Sequence, residues 1–300
     1  MHKQGDAMEK QKIGWIGTGI MGKSMCSHVI DAGYEAFVFN RTKSKADELV
    51  AKGAVWCKSA AEVASKADIV FTIVGYPKDV RQVYFGDEGC FAADVKGKVF
   101  IDMTTTEPTL AQEIFKRARI LGADALDAPV SGGDRGAREA TLSIMAGGDR
   151  DAFEKVLPIL NVMGKSVIYE GKAGAGQHTK MANQIVIAGT MAGVSEAMVY
   201  ASSAGLDIGT MLKTIGGGAA GCWTLANLAP RVEKGDFKPG FMIDHFVKDM
   251  RIAISEAQNM GLRLPALELV CSEYEDLQSK GLGKLGTQAL VKEIGGSDVH

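Results

Sequence analysis

The chain has 300 residues, 46% of them hydrophobic and 23% charged, with a net charge of -2 at pH 7. That length and apolar content suffice for two domains with buried cores. The near-balanced charge leaves no broad basic field for nucleic acid or an anionic membrane, so the expected partner is a small molecule.

The first twelve residues, MHKQGDAMEKQK, lack the apolar stretch of a secretory signal. Cys26, Cys57, Cys90, Cys222 and Cys271 are scattered without a CxxC pair, so neither a zinc site nor a disulfide framework is expected. Both features predict a cytoplasmic protein. The first apolar run opens IGWIGTGIMGKSM (13–25), in which Gly17, Gly19 and Gly22 separate a strand (13–17) from a helical pattern (20–32). Glycines at this spacing permit a tight turn, let backbone approach a ligand, and let a helix sit close to a strand. Helix-start amides would then face a diphosphate, with Gly17, Gly19, Ile20, Met21 and Gly22 as the contacts.

A second strand, EAFVFN (35–40), ends where an NAD site usually places Asp or Glu against the ribose hydroxyls; this chain instead has Asn40, Arg41 and Thr42. An amide, a guanidinium and a hydroxyl suit a ribose phosphate, which favours NADP(H) over NAD(H), although NAD(H) stays possible. Further strands are expected at 68–74, 98–102, 123–130, 141–148 and 166–170, with helical segments between them and one near 150–163. This alternation predicts an α/β, doubly wound, mostly parallel sheet of the Rossmann type.

At GKAGAGQ (171–177) the texture changes, and the domain boundary is placed there: a dinucleotide-binding domain over 1–172 and an all-helical domain over 173–300. One long apolar helix is expected over about 177–204. Lys180, Asn183, Gln184 and Glu196 interrupt it and argue against a membrane span. Shorter helical patterns follow over 207–295.

Two stretches can carry chemistry. In DAPVSGGDRGA (127–137), Ser131, Gly132 and Gly133 follow a strand and offer a hydroxyl and amides to a carboxylate, although an ordinary turn reads the same way. In GAGQHTKMANQ (174–184), a glycine turn delivers a helix bearing Lys180, with Asn183 and Gln184 three and four positions on and on the same face. A lysine in an apolar helix is costly unless used or snorkelling to solvent. It can polarise an aldehyde oxygen and protonate it while hydride adds to carbon. His178 lies about 200° round the helix from Lys180, His245 reads as a packed histidine, and Trp223 as a packing residue or a pocket wall.

Together, GWIGTGIMGKSM, IDMTTTEP (101–108), DAPVSGG, GAGQHTKMANQ and FKPGFMIDHFVKDM (237–250) resemble, in order and over nearly the whole chain, the motifs of the β-hydroxyacid dehydrogenase family. The resemblance implies an NAD(P)-dependent oxidoreductase interconverting a small 3-hydroxy acid and its semialdehyde. The nearest substrate is 3-hydroxyisobutyrate; tartronate semialdehyde, glyoxylate and succinic semialdehyde are alternatives. It implies Lys180 as the catalytic residue, and Ser131, Gly132, Gly133 and one of Asn183 or Gln184 on the substrate. Cofactor contacts are implied at Val74, Gly75, Tyr76, Thr105 and Lys248, and a cleft between the domains as the active site. A homodimer or homotetramer built through the helical half is also implied. The family often has leucine where Thr18 stands, and asparagine where Gln184 stands. Competing readings are a 6-phosphogluconate-type decarboxylase, which would be longer and more basic, an imine reductase, which would lack the lysine, and a non-catalytic redox sensor that binds a dinucleotide.

Overall fold

A computed structural model describes residues 10–295; the first nine residues of the polar lead, read above as free of an export signal, lie outside it. The described residues fall into two units, 10–180 and 181–295. In the first unit the strands are β1 (Ile13–Ile16), β2 (Ala36–Phe39), β3 (Val55–Trp56), β4 (Ile69–Thr72), β5 (Val99–Asp102), β6 (Asp124–Asp127), β7 (Val130–Ser131), β8 (Leu142–Gly148) and β9 (Gly164–Gly171). The helices are α1 (Ile20–Asp31), α2 (Asp47–Ala51), α3 (Ala60–Lys66), α4 (Pro77–Phe85), α5 (Pro108–Ile120), α6 (Gly133–Arg138) and α7 (Arg150–Leu160). A long helix, α8 (Ala175–Ser203), starts after β9 and runs on into the second unit.

Strands β3-β2-β1-β4-β5-β6 are parallel in that order. The chain therefore reverses direction across the sheet between β1 and β4, the switch point at which doubly wound sheets bind ligands beyond their strand ends. Both faces are covered, which is why these strands read as apolar runs rather than as alternating ones. Ile13, Trp15, Phe71 and Ile101 pack into one core cluster, and Ile16, Val70 and Phe100 into another. Trp15 stacks on Phe71 across the β1–β4 pair, and its indole N–H donates to the Gly17 carbonyl at 3.1 Å. Helices α4 and α5 each begin with proline (Pro77, Pro108), whose missing N–H costs nothing in a first turn.

Beyond β6 the pattern departs from simple parallel alternation. The single strand expected over 123–130 is two pieces, β6 and β7, separated by Ala128 and Pro129, and both pair antiparallel with β8. Proline has no N–H to give the ladder, so the edge breaks there. Strand β9 lies parallel on the other side of β8.

The second unit is helical: the rest of α8, then α9 (Ile208–Gly216), α10 (Trp223–Asn227), α11 (Ala229–Glu233), α12 (Ile243–Asn259), α13 (Pro265–Ser279) and α14 (Val291–Gly295). Its core joins Met181, Ala188 and Met191 of α8 to Phe246, Met250 and Tyr274, with Phe246 and Tyr274 edge to face at 5.2 Å. Trp223 is 68% exposed, so plain packing does not account for it. By length and composition alone α8 could cross a membrane. Its exposed positions include Ala182, Val186, Gly189, Gly193, Glu196 and Tyr200, a stripe at alternating spacings of four and three.

Candidate active site

The glycine turn separates into three jobs. Gly17 has φ +96°, and a Cβ there would lie 2.0 Å from the Ile73 carbonyl oxygen. A Cβ on Gly22 would lie 2.1 Å from the Gly17 oxygen and 2.8 Å from Ile73 Cγ2, so this glycine lets α1 sit against the turn. Gly19 is different: nothing lies within 4 Å of where its Cβ would be, and its φ of -69° suits any residue. No protein neighbour requires a glycine there, although glycine also suits its place as the N-cap of α1. The start of α1 has neither a side-chain cap nor an acidic residue in its first turn, and Ile20 beside it is 64% exposed. Free amides, a positive dipole end and an open apolar side chain fit a dinucleotide diphosphate.

The surrounding loops are braced by buried polar groups. Asn40 Oδ1 accepts from the Thr18 N–H (3.0 Å), and its Nδ2 donates to the Thr42 carbonyl (2.9 Å), tying the end of β2 to the glycine turn. Thr18 is itself buried, so its side chain is turned into the protein. Arg41 is 83% exposed on its side chain and pairs with Asp79 in the first turn of α4 at 2.8 Å. The Val74 N–H donates to Thr104 Oγ1 (3.0 Å), and the Thr104 N–H to Asp102 Oδ1 (3.0 Å). Val74, Gly75 and Tyr76 are half-buried at the end of β4. Thr104 and Thr106 are buried and Thr105 between them is half-buried.

The same unit holds the lysine. Lys180 is only 7% exposed, one turn into α8, whereas His178 is exposed; the two do not share a face. Gly174, with φ +90°, precedes the helix and offers no capping side chain. Asp127, at the end of β6, supplies the cap instead: Oδ1 accepts from the Gly174 N–H (2.7 Å) and Oδ2 from the Gln177 N–H (2.8 Å). Burial pushes the Asp127 carboxyl above its usual range, and these backbone donors pull against that rise. Gln177, fully buried, donates to the Thr104 carbonyl (2.7 Å) and accepts from the Thr106 N–H (3.1 Å). Ser131 is half-buried in β7, followed by Gly132 and Gly133 at φ +129° and +63°. Consecutive positive φ values leave amides at the start of α6 that a carboxylate can use.

In the second unit, Asn183 Nδ2 donates to Gln184 Oε1 (2.7 Å), and Gln184 Nε2 donates to Asp249 Oδ2 (2.6 Å). Lys248 pairs with the other oxygen of Asp249 at 2.8 Å, with both side chains largely buried. Gln184 is buried with both ends of its amide engaged, while the half-buried Asn183 keeps its carbonyl oxygen. One turn earlier on α12, burial and then the Lys248 charge push the His245 imidazole below its ordinary value.

Sequence reasoning missed Asp127, Gln177 and Asp79. The signal for the first was present: α8 lacks Ser, Thr, Asn or Asp at its start, so another element had to satisfy its amides. Among the described residues no cluster of three or more His, Cys, Asp or Glu could hold a metal ion, and all five cysteines are free.

Residues 12–171 match the NAD-binding domain of 6-phosphogluconate dehydrogenase, and residues 174–294 match a domain described as NAD-binding of NADP-dependent 3-hydroxyisobutyrate dehydrogenase. A probable mitochondrial 3-hydroxyisobutyrate dehydrogenase-like protein of Arabidopsis thaliana is 50% identical over 93% of this chain and 84% of its own length. The 2-hydroxy-3-oxopropionate reductase of Escherichia coli is 38% identical over 94% of this chain and 97% of its own. A 3-hydroxyisobutyrate dehydrogenase of Mycobacterium tuberculosis, solved with L-serine, superposes with a TM-score of 0.88 at 30% identity over 95% of this chain and 99% of that one. With a Rossmann-type unit followed by a helical one, the chain belongs to the β-hydroxyacid dehydrogenase family and is an NAD(P)-dependent oxidoreductase.

Proposed function

We propose that the chain interconverts a small 3-hydroxy acid and its semialdehyde, with 3-hydroxyisobutyrate as the nearest substrate. Glyoxylate and the semialdehydes of tartronate and succinate are the alternatives. The observation that carries the reading is a buried amine, Lys180, on a helix whose first turn is bonded to the loop bearing Thr105. A bound nicotinamide dinucleotide supplies the hydride. The Lys180 ammonium donates a hydrogen bond to the aldehyde oxygen and passes its proton there as carbon is reduced; in the oxidative direction the neutral amine accepts the hydroxyl proton. The Ser131 hydroxyl and the Gly132 and Gly133 amides receive the carboxylate. Asn183, rather than the fully engaged Gln184, meets the substrate, and Lys248 stands beside cofactor or substrate as a cation held by Asp249.

NADP(H) is the preferred cofactor in this reading. No carboxylate ends β2, and Arg41 and Thr42 offer a charge and a hydroxyl to a ribose phosphate; contacts to Gly17, Gly19, Ile20, Met21, Gly22, Asn40, Val74, Gly75, Tyr76 and Thr105 complete the set. We further propose a soluble cytoplasmic homo-oligomer in which the exposed stripe of α8 packs against a second copy rather than lipid. The test is a kinetic panel of 3-hydroxyisobutyrate, glycerate, 4-hydroxybutyrate and glyoxylate with both cofactors, on native protein and Lys180→Ala. Turnover should fall in the variant by about 10² to 10⁴. Tight NADPH binding with no turnover of any member by the native protein would support a redox-sensing role instead.

A further inference from the structure

We propose that Asp127 and Gln177 are positioning residues for Lys180, forming one buried joint that fixes the amine relative to the loop containing Thr105. The inference rests on the reading of Lys180 as proton donor. Its first support is the way α8 begins. A helix start leaves four amides without intrahelical partners, and here the start is buried, so those amides need acceptors that water cannot supply. A serine or asparagine on the helix itself would satisfy one amide and leave the helix free to shift as a body. Asp127 instead reaches from the sheet and takes two, at Gly174 and Gln177, with one oxygen each. The helix is thereby fastened to β6 at two points.

Its second support is packing. A Cβ on Gly176 would lie 2.2 Å from the Met145 carbonyl and 2.8 Å from the Asp127 carbonyl, and one on Gly147 would lie 2.8 Å from both Asp127 Oδ1 and the Gly176 nitrogen. Apart from the Asp127 carboxylate itself, backbone therefore meets backbone where α8 packs against β6 and β8, with no side chain to act as a compliant spacer. Gln177 extends the joint by bonding Thr104 and Thr106, and Thr104 in turn holds Val74. Lys180 follows Gln177 by three residues, about 4.5 Å along the axis. A displacement of the first turn is passed to the lysine with little room for absorption.

The test is a double-mutant cycle among Asp127→Asn, Gln177→Met and Lys180→Met, in the intact chain with NADPH and the best semialdehyde of the panel. Asn at 127 keeps one acceptor but turns an NH2 group toward an amide N–H. Asp127→Asn should lower kcat on the order of 10²-fold, the cost of misplacing a reacting group by about 1 Å, and leave NADPH affinity within about threefold. Gln177→Met, which spares the cap, should lower kcat and also weaken NADPH, because its loop carries Thr105. In the Lys180→Met background neither change should lower kcat further, since a residue that acts through the lysine has nothing left to position. Losses that multiply in both backgrounds would overturn the positioning role and leave a structural cap. Native kcat in folded Asp127→Asn would overturn it as well. Should Asp127→Asn fail to fold, Gln177→Met decides by the same cycle. Turnover untouched by Lys180→Met, or absent in the native protein, would instead remove the proton-donor reading and the proposal with it.

Discussion

Gly19 and Gly22 are three residues apart in one turn, yet alanine at each should do opposite things. Gly22→Ala places a Cβ 2.1 Å from a backbone oxygen and 2.8 Å from Ile73 Cγ2, so the α1 start must move outward. Overpacking of this kind costs about 1–3 kcal/mol, and near 2–4 °C per kcal/mol for a unit of this size the melting temperature should drop roughly 2–12 °C. Gly19→Ala meets no atom within 4 Å and has an ordinary φ. Losing glycine's preference over alanine at an N-cap costs about 1 kcal/mol, and the stiffer unfolded chain returns about 0.4–1 kcal/mol, so stability should hardly change. The methyl would instead occupy the space above the helix amides. A phosphate pushed off them loses one charged hydrogen bond, about 1.5–3 kcal/mol, and part of the dipole attraction, about 0.3–1 kcal/mol. The sum of about 2–4 kcal/mol weakens NADPH binding roughly 30- to 1,000-fold. Fluorescence titration with NADPH and thermal melts of both variants read the two quantities separately. Native affinity in Gly19→Ala would show that no phosphate sits over this turn and would remove the argument from its open face.

Three further outcomes are expected. Arg41→Ala should leave the melt nearly unchanged, because an exposed ion pair contributes about 0–1 kcal/mol, while kcat/KM falls about 10- to 100-fold with NADPH and little with NADH, the loss of a charged hydrogen bond to the ribose phosphate; equal losses with both would free Arg41 of that role. Gln184→Leu takes a donor from the buried Asp249 carboxylate and should cost stability by roughly 2 kcal/mol or more, whereas Asn183→Ala should raise KM for the hydroxy acid with little change in melting; the reverse pattern would make Gln184 the substrate amide. His245 has a folded pKa depressed below 6.5 by burial and by Lys248, so below pH 6.5 the unfolded chain binds the proton that the native state resists. Stability should therefore fall as pH drops from 7 through that window, and His245→Gln should flatten this part of a melting-against-pH curve; an unchanged curve would assign the acid loss to other groups.

The nucleotide-binding half was legible because its signals are local. Period, glycine spacing and the polar tip of β2 lie within 30 residues of one another, and each states a backbone requirement that the side chain alone reveals. The antiparallel edge was less so. ADALDAPV reads as one strand by composition, and only the pairing with β8 exposes the break at Pro129. Lys180 stood out as a charge in an apolar helix, but Asp127 did not, since nothing in a run of residues says which distant amide a carboxylate will meet. Asn40 reads in the sequence as a phosphate contact, whereas the structure has it bracing the Thr18 amide, a neighbour 22 positions away.

That limit also explains why the motif at 127–133 and the motif at 174–184 belong together. Read separately, one offers a hydroxyl and amides to a carboxylate and the other offers an amine to a carbonyl oxygen, and a substrate bearing both groups must be held at a fixed separation for either to matter. Asp127 opens the first stretch and caps the helix of the second, while Ser131 and the glycines follow it within six residues. One carboxylate is therefore the common origin from which both proposed binding elements are measured. A change at Asp127 alters the distance between the proposed carboxylate cradle and the proposed proton donor without touching either. It should then shift preference among hydroxy acids of different chain length, a consequence that removal of Lys180 or Ser131 alone would not reproduce.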